Sequence, residues 1–254
     1  MIRKTDALVL RALDYGETSR IVTLYSRRFG KLTLMAKGAR RPGSRLAACL
    51  EPLAYIEAVF YYRAGRELQY LSDCAFIRPM PRWGEDVERA ALGSFLLEWL
   101  DRLTPEGEPN PMLFNWALRA LASIYEGRGQ KRTWALLFLL RALPLIGYTL
   151  RIEAEAGCSG PGSWVLEAAH GRIAPQGGVE TYARPISAAA VRLLEPLLRD
   201  PVERIQHLVV PAGVWDELVG HVYAFVQAHL GPLPQVRSWE VLRSMMIRER
   251  GEAL

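Results

Sequence analysis

Five short segments of strand-like sequence lie within the first 71 residues, and this feature limits the possible folds more than any other. The segments, separated by Gly-containing turns, cover residues 7–13, 20–25, 31–37, 53–62 and 67–71. Strands this short do not form a stable flat sheet alone, whereas closure into a small barrel removes the exposed edges. We therefore predict a five-stranded β-barrel of the OB type. Alternation along the strands predicts that its interior contains Leu8, Leu10, Leu32 and Leu34.

The period of the apolar residues changes after residue 80 from that of strands to that of helices. Residues 78–84, rich in proline, predict a linker. The helical pattern then covers residues 87–103, 112–125, 131–146, 186–198, 215–230 and 238–247. An irregular Gly- and Pro-rich insert occupies residues 157–185. The expected class is α+β, mostly α by residue count, with a barrel domain at 1–80 and a helical domain at 81–254.

The positive charge of the chain is concentrated in the region of the predicted barrel. Residues 1–80 contain 14 Lys and Arg against 7 Asp and Glu, and the remaining residues contain 18 against 20. The net charge of +5 therefore arises entirely from the first third of the chain. Such asymmetry is expected of a module that binds a polyanion, and a merely solubilising surface is the alternative.

The sequence shows no sign of a membrane or secretory protein. No apolar run approaches the roughly 18–20 residues that cross a bilayer, and the N-terminus lacks the apolar block of a signal peptide. The three cysteines are widely spaced and do not form a disulfide framework. We expect a cytoplasmic, nucleoid-associated protein.

A set of short motifs in the first eighty residues resembles the N-terminal barrel of the RecO family. The motifs are Ala7-Leu-Val-Leu, Asp14-Tyr-Gly-Glu, Phe29-Gly-Lys-Leu, Ala36-Lys-Gly-Ala-Arg-Arg and Ser44-Arg-Leu. Near the other end, His229-Leu-Gly and Val236-Arg-Ser are similar to the terminal helical segment of the family.

The resemblance implies a recombination mediator in DNA repair, acting in a RecF-type pathway. Such a protein binds single- and double-stranded DNA, anneals complementary strands and assists recombinase loading. The implied partners are a RecR-type protein and single-strand-binding protein. A groove near Arg102, Arg119 or Arg132 in the helical half could take the acidic, hydrophobic tail of the latter.

A basic loop after the third strand is the main candidate for DNA contact. Lys37, Arg40, Arg41 and Arg45 fall within nine residues, and two glycines in the loop let a phosphate approach the backbone. Three further cations lie one hairpin earlier and are expected to share the same rim: Arg27, Arg28 and Lys31. Base-stacking candidates on the strands are Tyr25, Tyr55, Tyr61, Tyr62 and Tyr70.

The insert departs from the zinc finger that many RecO proteins carry there. The first Cys-x-x-Cys pair would be Cys158 and Pro161, so its second ligand is missing, and no cysteine follows the double glycine Gly177-Gly178. A structural zinc site needs four ligands, and only His170 adds another soft one in this segment. We predict a degenerate finger that binds no zinc, and we expect no other cofactor.

Enzymatic signatures are absent from the sequence. Neither a phosphate-binding Gly-x-x-x-x-Gly-Lys-Ser/Thr loop nor a Gly-x-Ser-x-Gly elbow is present. We therefore predict no catalytic residues and no enzyme activity. Two alternatives remain: a nucleic-acid-processing enzyme with an unrecognised site, and a scaffold that binds only proteins.

Overall fold

A computed structural model describes residues 1–78, 83–153, 164–176 and 183–251. The chain divides into two compact units, residues 1–118 (unit 1) and 119–254 (unit 2). None of the helices in the described ranges is long and apolar enough to span a bilayer.

Unit 1 begins with a closed five-stranded barrel, as the sequence predicts. Its strands are β1 (Ile2–Tyr15), β2 (Ser19–Ser26), β3 (Gly30–Ala36), β4 (Tyr55–Tyr61) and β5 (Leu68–Phe76). They follow the spatial order β1-β2-β3-β5-β4, and β4 returns to pair with β1. All pairs are antiparallel except β3 with β5. Closure leaves no open edge, which explains how one long strand and four strands of seven to nine residues hold together.

A five-residue helix, α1 (Arg45–Cys49), connects β3 to β4 and was not expected from the sequence. Cys49 and Leu50 are buried in the barrel core, and Leu46 packs against it. The remaining core residues come from alternate positions of all five strands, among them Val22, Leu34 and Phe60. The helix therefore ties the end of the basic loop to the interior of the barrel.

The prediction that Leu8 and Leu10 lie inside the barrel is wrong, whereas that for Leu32 and Leu34 is confirmed. The core residues of β1 are Ala7 and Val9. Leu8 and Leu10 are also buried, but they are not members of the barrel core. Every residue from 7 to 10 is apolar, so alternation could not show which face of the strand points inward.

Two long helices follow the barrel, and unit 1 ends within the second of them. A side-chain oxygen of Asp86 accepts a hydrogen bond from the backbone N–H of Arg89 at 2.9 Å and caps α2 (Val87–Leu103). Asn110 accepts from the N–H of Leu113 at 3.0 Å at the start of α3 (Pro111–Glu126). β1 packs against α2, and the ring of Phe114 on α3 lies near Tyr25 and Tyr55.

Unit 2 combines helices with a small sheet. Its helices are α4 (Lys131–Leu145), α5 (Ala188–Arg199), α6 (Val202–Ile205), α7 (Ala212–Leu230) and α8 (Arg237–Gly251). α4 is buried along nearly its whole length, as its apolar sequence predicts. The sheet consists of β6 (Arg151–Ile152), β7 (Trp164–Glu167), β8 (Arg172–Pro175) and β9 (Arg184–Ile186). The insert, expected to be irregular, thus contributes three short strands.

Candidate nucleic-acid interface

The basic loop, residues 37–45, has a defined backbone at one end of the barrel. The N–H of Arg40 donates to the carbonyl of Thr18 in the β1–β2 turn at 2.9 Å, and the N–H of Ser44 donates to Arg41 at 3.0 Å. Ala39 is fully buried in the barrel core. The loop is therefore held to the neighbouring turn and to the barrel interior, and its cations project from a fixed backbone.

The four predicted cations of this region differ in how far they are free to bind a ligand. The guanidinium of Arg40 donates to the carbonyl of Gly16 at 2.8 Å and lies 3.1 Å from the carboxylate of Asp14. Lys37, Arg41 and Arg45 are exposed, and within the described ranges none has a carboxylate partner. Arg40 therefore holds the loop to the β1–β2 turn, and the charged groups of the other three cations are exposed to solvent.

The three cations of the β2–β3 hairpin do not share this rim, contrary to the expectation. Ser26 pairs with Gly30 at one end of the hairpin, and Arg20 pairs with Ala36 at the other. Six residues of strand separate the two ends by about 20 Å. Arg27, Arg28 and Lys31 thus lie at the opposite end of these strands from the basic loop, because a hairpin places its turn away from its open end.

Two of these three cations are engaged within unit 1. Arg27 donates to Asp6 at 2.6 Å and to Asn115 at 2.5 Å, and its guanidinium lies 4.8 Å from the centroid of the Phe114 ring. The hydrogen bond to Asp6 raises the pKa of Arg27.

Lys31 is the second engaged cation. Its ammonium donates to the backbone carbonyl of Asp101 at 2.7 Å and to the carboxylate of Asp101 at 3.1 Å, and only 13% of its side chain is exposed. Arg28, between the two in sequence, is exposed.

A cluster of two cations and one aromatic ring lies beside the basic loop, and one of its members, Arg66, was missed at the sequence level. The Nζ atom of Lys37 is 4.8 Å from the centroid of the Tyr70 ring, and the guanidinium carbon of Arg66 is 4.6 Å from it. Both distances suit cation–π attraction. The available signal was Arg63-Ala-Gly-Arg66, two cations in the turn that leads to the tyrosine.

The five tyrosines proposed for base stacking differ in how deeply they are buried. Tyr25 is fully buried, and this burial raises its pKa to about 12. Tyr55 lies near Phe114, and Tyr62 packs against the barrel core. Tyr61 is 51% exposed and Tyr70 is half-buried. Tyr61 therefore keeps the largest surface that a base could reach, and of the half-buried Tyr55, Tyr62 and Tyr70 only the last lies against a cation of the basic loop in the described ranges.

The arginines proposed for a peptide tail are each ion-paired. Arg102 contacts Glu98, Arg119 contacts Glu203 at 2.6 Å, and Arg132 contacts both carboxylate oxygens of Glu249. An incoming acidic tail would have to compete with these internal carboxylates.

The degenerate finger falls largely outside the described residues. Cys158, Pro161 and Gly177-Gly178 all lie in the undescribed stretches. His170 is exposed, and its Nδ1 atom lies 3.5 Å from Glu167. Within the described ranges, no three His, Cys, Asp or Glu residues are grouped as metal ligands would be.

Comparison with known proteins covers nearly the whole chain. The family model described as "Recombination protein O N terminal" matches residues 1–80, and "Recombination protein O C terminal" matches residues 84–240. A DNA repair protein RecO of Salinibacter ruber is 35% identical over 233 residues, or 89% of this chain and 87% of that protein. The RecO of Chloroherpeton thalassium is 29% identical over 97% of this chain and 100% of its own length.

Proposed function

The chain belongs to the RecO family of DNA repair proteins, and from this membership we propose that it is a DNA-binding recombination mediator without enzyme activity. The observation that carries the proposal is the set of exposed cations on the basic loop: Lys37, Arg41 and Arg45. They extend from one end of an OB-type barrel, on a backbone that is already ordered. An ordered loop loses little conformational entropy when it binds a phosphate backbone.

The chemistry of this loop suits contact without sequence readout. Lys and Arg contacts to phosphates supply affinity and position, whereas sequence is read from base edges. A mediator that acts wherever a strand is exposed needs affinity of this kind. Arg40 serves in this proposal as the residue that positions the loop, through Asp14 and Gly16.

The test is a titration of the full chain with a single-stranded oligonucleotide over a range of salt concentrations. Each neutralised phosphate on a single strand contributes roughly −0.7 to the slope of log affinity against log salt. The variant Lys37→Ala/Arg41→Ala/Arg45→Ala should bind more weakly and flatten this slope by about 2 units. Arg40 is left unchanged so that the loop keeps its anchor.

A matched control removes the same charge from exposed positions in unit 2, with Arg151→Ala/Arg192→Ala/Arg237→Ala. This control should leave the slope nearly unchanged. The proposal fails if the loop variant keeps the wild-type slope, or if the control flattens the slope equally, since net charge alone would then explain the binding.

Family membership supports further activities, which we propose on that basis alone. They are binding of double-stranded DNA, annealing of complementary strands, and recombinase loading together with a RecR-type partner and single-strand-binding protein. The annealing rate of complementary oligonucleotides coated with single-strand-binding protein tests them directly. Magnesium-dependent hydrolysis of DNA or nucleotide by the purified chain would contradict the proposal that it is not an enzyme.

A further inference from the structure

Six outward-facing side chains form a single row across the barrel, at right angles to the strands. Strand pairing places Ile2 beside Tyr61, Tyr61 beside Tyr70, and Tyr70 beside Met35. The row continues through Ile21 to Leu13. Paired residues of neighbouring strands lie on the same face of a sheet, with strands about 4.8 Å apart.

This row faces outward because the residues next to it face inward. Phe60, Leu71 and Leu34 each follow or precede a member of the row, and all three belong to the barrel core. Tyr61, Ile2 and Leu13 are each more than half exposed, and Tyr70 is half-buried. Met35 is only 7% exposed, so the accessible part of the row is an apolar and aromatic strip of Ile2, Tyr61 and Tyr70, with Leu13 exposed at the far end of the row. We call these six residues the outer row.

The charged side chains beside the outer row determine which class of ligand can bind there. Lys37 and Arg66 both lie against the Tyr70 ring, and neither has a carboxylate partner among the described residues. Arg63 is exposed in the same β4–β5 turn. Within residues 61–73 the exposed carboxylates are Glu67 and Asp73, which Arg63 and Arg66 balance, so cations prevail once those of the basic loop are included.

Accessible aromatic rings beside unpaired cations match unpaired nucleotides more closely than any other partner. A duplex hides the faces of its bases inside the stack, whereas a single strand offers a base and a phosphate at every nucleotide. A protein partner would find an apolar strip whose centre is flanked by cations that are costly to desolvate without matching carboxylates.

We propose that the outer row is a base-stacking track for single-stranded DNA, in which bases stack on Tyr61 and Tyr70 while Lys37 and Arg66, which lie over the Tyr70 ring in the free protein, move onto the adjoining phosphates. This inference rests on the proposed function. It adds that the barrel distinguishes a strand with accessible bases from a bare phosphate backbone and from a duplex, and that it does so without preference for sequence.

The experiment compares three probes of equal length on the full chain: oligothymidylate, an abasic deoxyribose-phosphate strand, and a hairpin duplex. Stacking on an aromatic residue changes affinity by roughly 5- to 150-fold per base. Tyr61→Leu and Tyr70→Leu should each weaken oligothymidylate binding about tenfold and leave the other two probes unchanged. Tyr61→Phe and Tyr70→Phe keep the ring and should bind as the wild type does.

Phe76→Leu is the matched control, because Phe76 is an exposed aromatic residue at the far end of the strand that carries Tyr70. It should leave all three affinities unchanged. Circular dichroism establishes that each variant is folded before its affinity is compared.

The inference is overturned if folded leucine variants keep the wild-type preference for oligothymidylate over the abasic strand, or if wild type shows no such preference. If the leucine variants bind oligothymidylate as the wild type does but the loop variant still flattens the salt slope, the proposed function stands and only the stacking track is rejected. If the loop variant instead keeps the wild-type salt slope, the proposed function on which this inference rests is rejected.

Discussion

At the scale of single residues, Gly30 joins the barrel to the helical part of unit 1. Its φ is +65°, and a Cβ atom at this position would overlap the carbonyl group of Glu108 in the α2–α3 connection. The adjacent Lys31 accepts from the N–H of Gly107 at 2.9 Å and donates to Asp101. The Phe-Gly-Lys motif thus has a structural role. Gly30 lets the backbone of the α2–α3 connection approach the barrel, and Lys31 forms hydrogen bonds that hold the two together.

We predict that Gly30→Ala destabilises unit 1 more than Gly16→Ala. Both glycines have positive φ, so both substitutions cost the roughly 1–2 kcal/mol of a left-handed alanine. Only Gly30 is crowded, whereas nothing approaches a Cβ at Gly16. Displacing the Glu108 backbone should add about 1–3 kcal/mol. Denaturant unfolding measures both variants, and equal losses of stability would contradict the close approach.

A buried histidine predicts a loss of stability in mild acid. His221 is 7% exposed, its burial lowers its pKa, and Arg184 lowers it further, against a smaller opposing effect of Glu217 one turn earlier. Below its ordinary pKa of 6.5 the unfolded chain therefore binds a proton that the native protein resists. The free energy of unfolding should fall as the pH drops from about 7 towards 5.

The comparison that isolates this residue is wild type against His221→Gln, because the carboxylates titrate alike in both. The difference between the two unfolding free energies should change with pH over this range, with the wild type losing more stability in acid. Parallel pH profiles would show that His221 is protonated as easily in the native protein as in the unfolded chain.

At the scale of elements, β1 differs from the other strands of the barrel in its length of fourteen residues, although residues 7–10 are buried on both faces as residues 22–26 of β2 are. Its register shifts between Val9 and Arg11, which marks a β-bulge. Before the shift the strand pairs with β4 as well as β2, and after it with β2 alone. A fourteen-residue strand that bends in this way lets five strands close into a barrel.

The described part of the insert is stabilised by apolar packing. Val165, Leu166, Ile173 and Ile186, on β7, β8 and β9, are all buried. Strand pairing and this small core hold the described strands of the sheet together.

We therefore predict that the purified protein contains no stoichiometric zinc. A structural site needs four ligands, and the sequence of the insert lacks both complete Cys-x-x-Cys pairs. Elemental analysis should find far less than one zinc per chain, and a chelator should leave the thermal unfolding curve unchanged. About one zinc per chain would require ligands from distant parts of the sequence.

At the scale of the whole molecule, the unit that contains the barrel is longer than the barrel. Unit 1 ends at residue 118, within α3. Tyr25 and Tyr55 pair with Leu8 on the outer face, and their rings lie 6.0 and 6.2 Å from that of Phe114. The helices thus cover a face of the barrel that water would otherwise reach.

We predict that a fragment of residues 1–126, which ends with α3, folds cooperatively, whereas residues 1–80 do not. The shorter fragment would expose Leu8, Leu10 and Tyr25, each worth roughly 1.5–3 kcal/mol when buried. Domains have only about 5–15 kcal/mol of net stability, so such a loss is severe. Urea unfolding followed by circular dichroism compares the fragments, and a cooperative transition of equal midpoint in both would contradict the prediction.

The sequence by itself determined the features that depend on local periodicity and composition. Alternation in residues 31–37 placed Leu32 and Leu34 inside the barrel, and the count of short strands indicated closure. The positions of the six described helices of twelve or more residues followed from apolar spacing, and the excess of cations marked the first third of the chain. Each of these signals is contained within a few neighbouring residues.

Only the tertiary structure decided which cations are free and which tyrosines are accessible. Arg27 and Lys31 look like Lys37 and Arg41 in the sequence, but their partners Asn115 and Asp101 lie about seventy to ninety residues away. Tyr61 and Tyr70 share a row because of the register between β4 and β5. Such relations arise when closure and packing bring distant residues together, and periodicity along the chain carries no information about them.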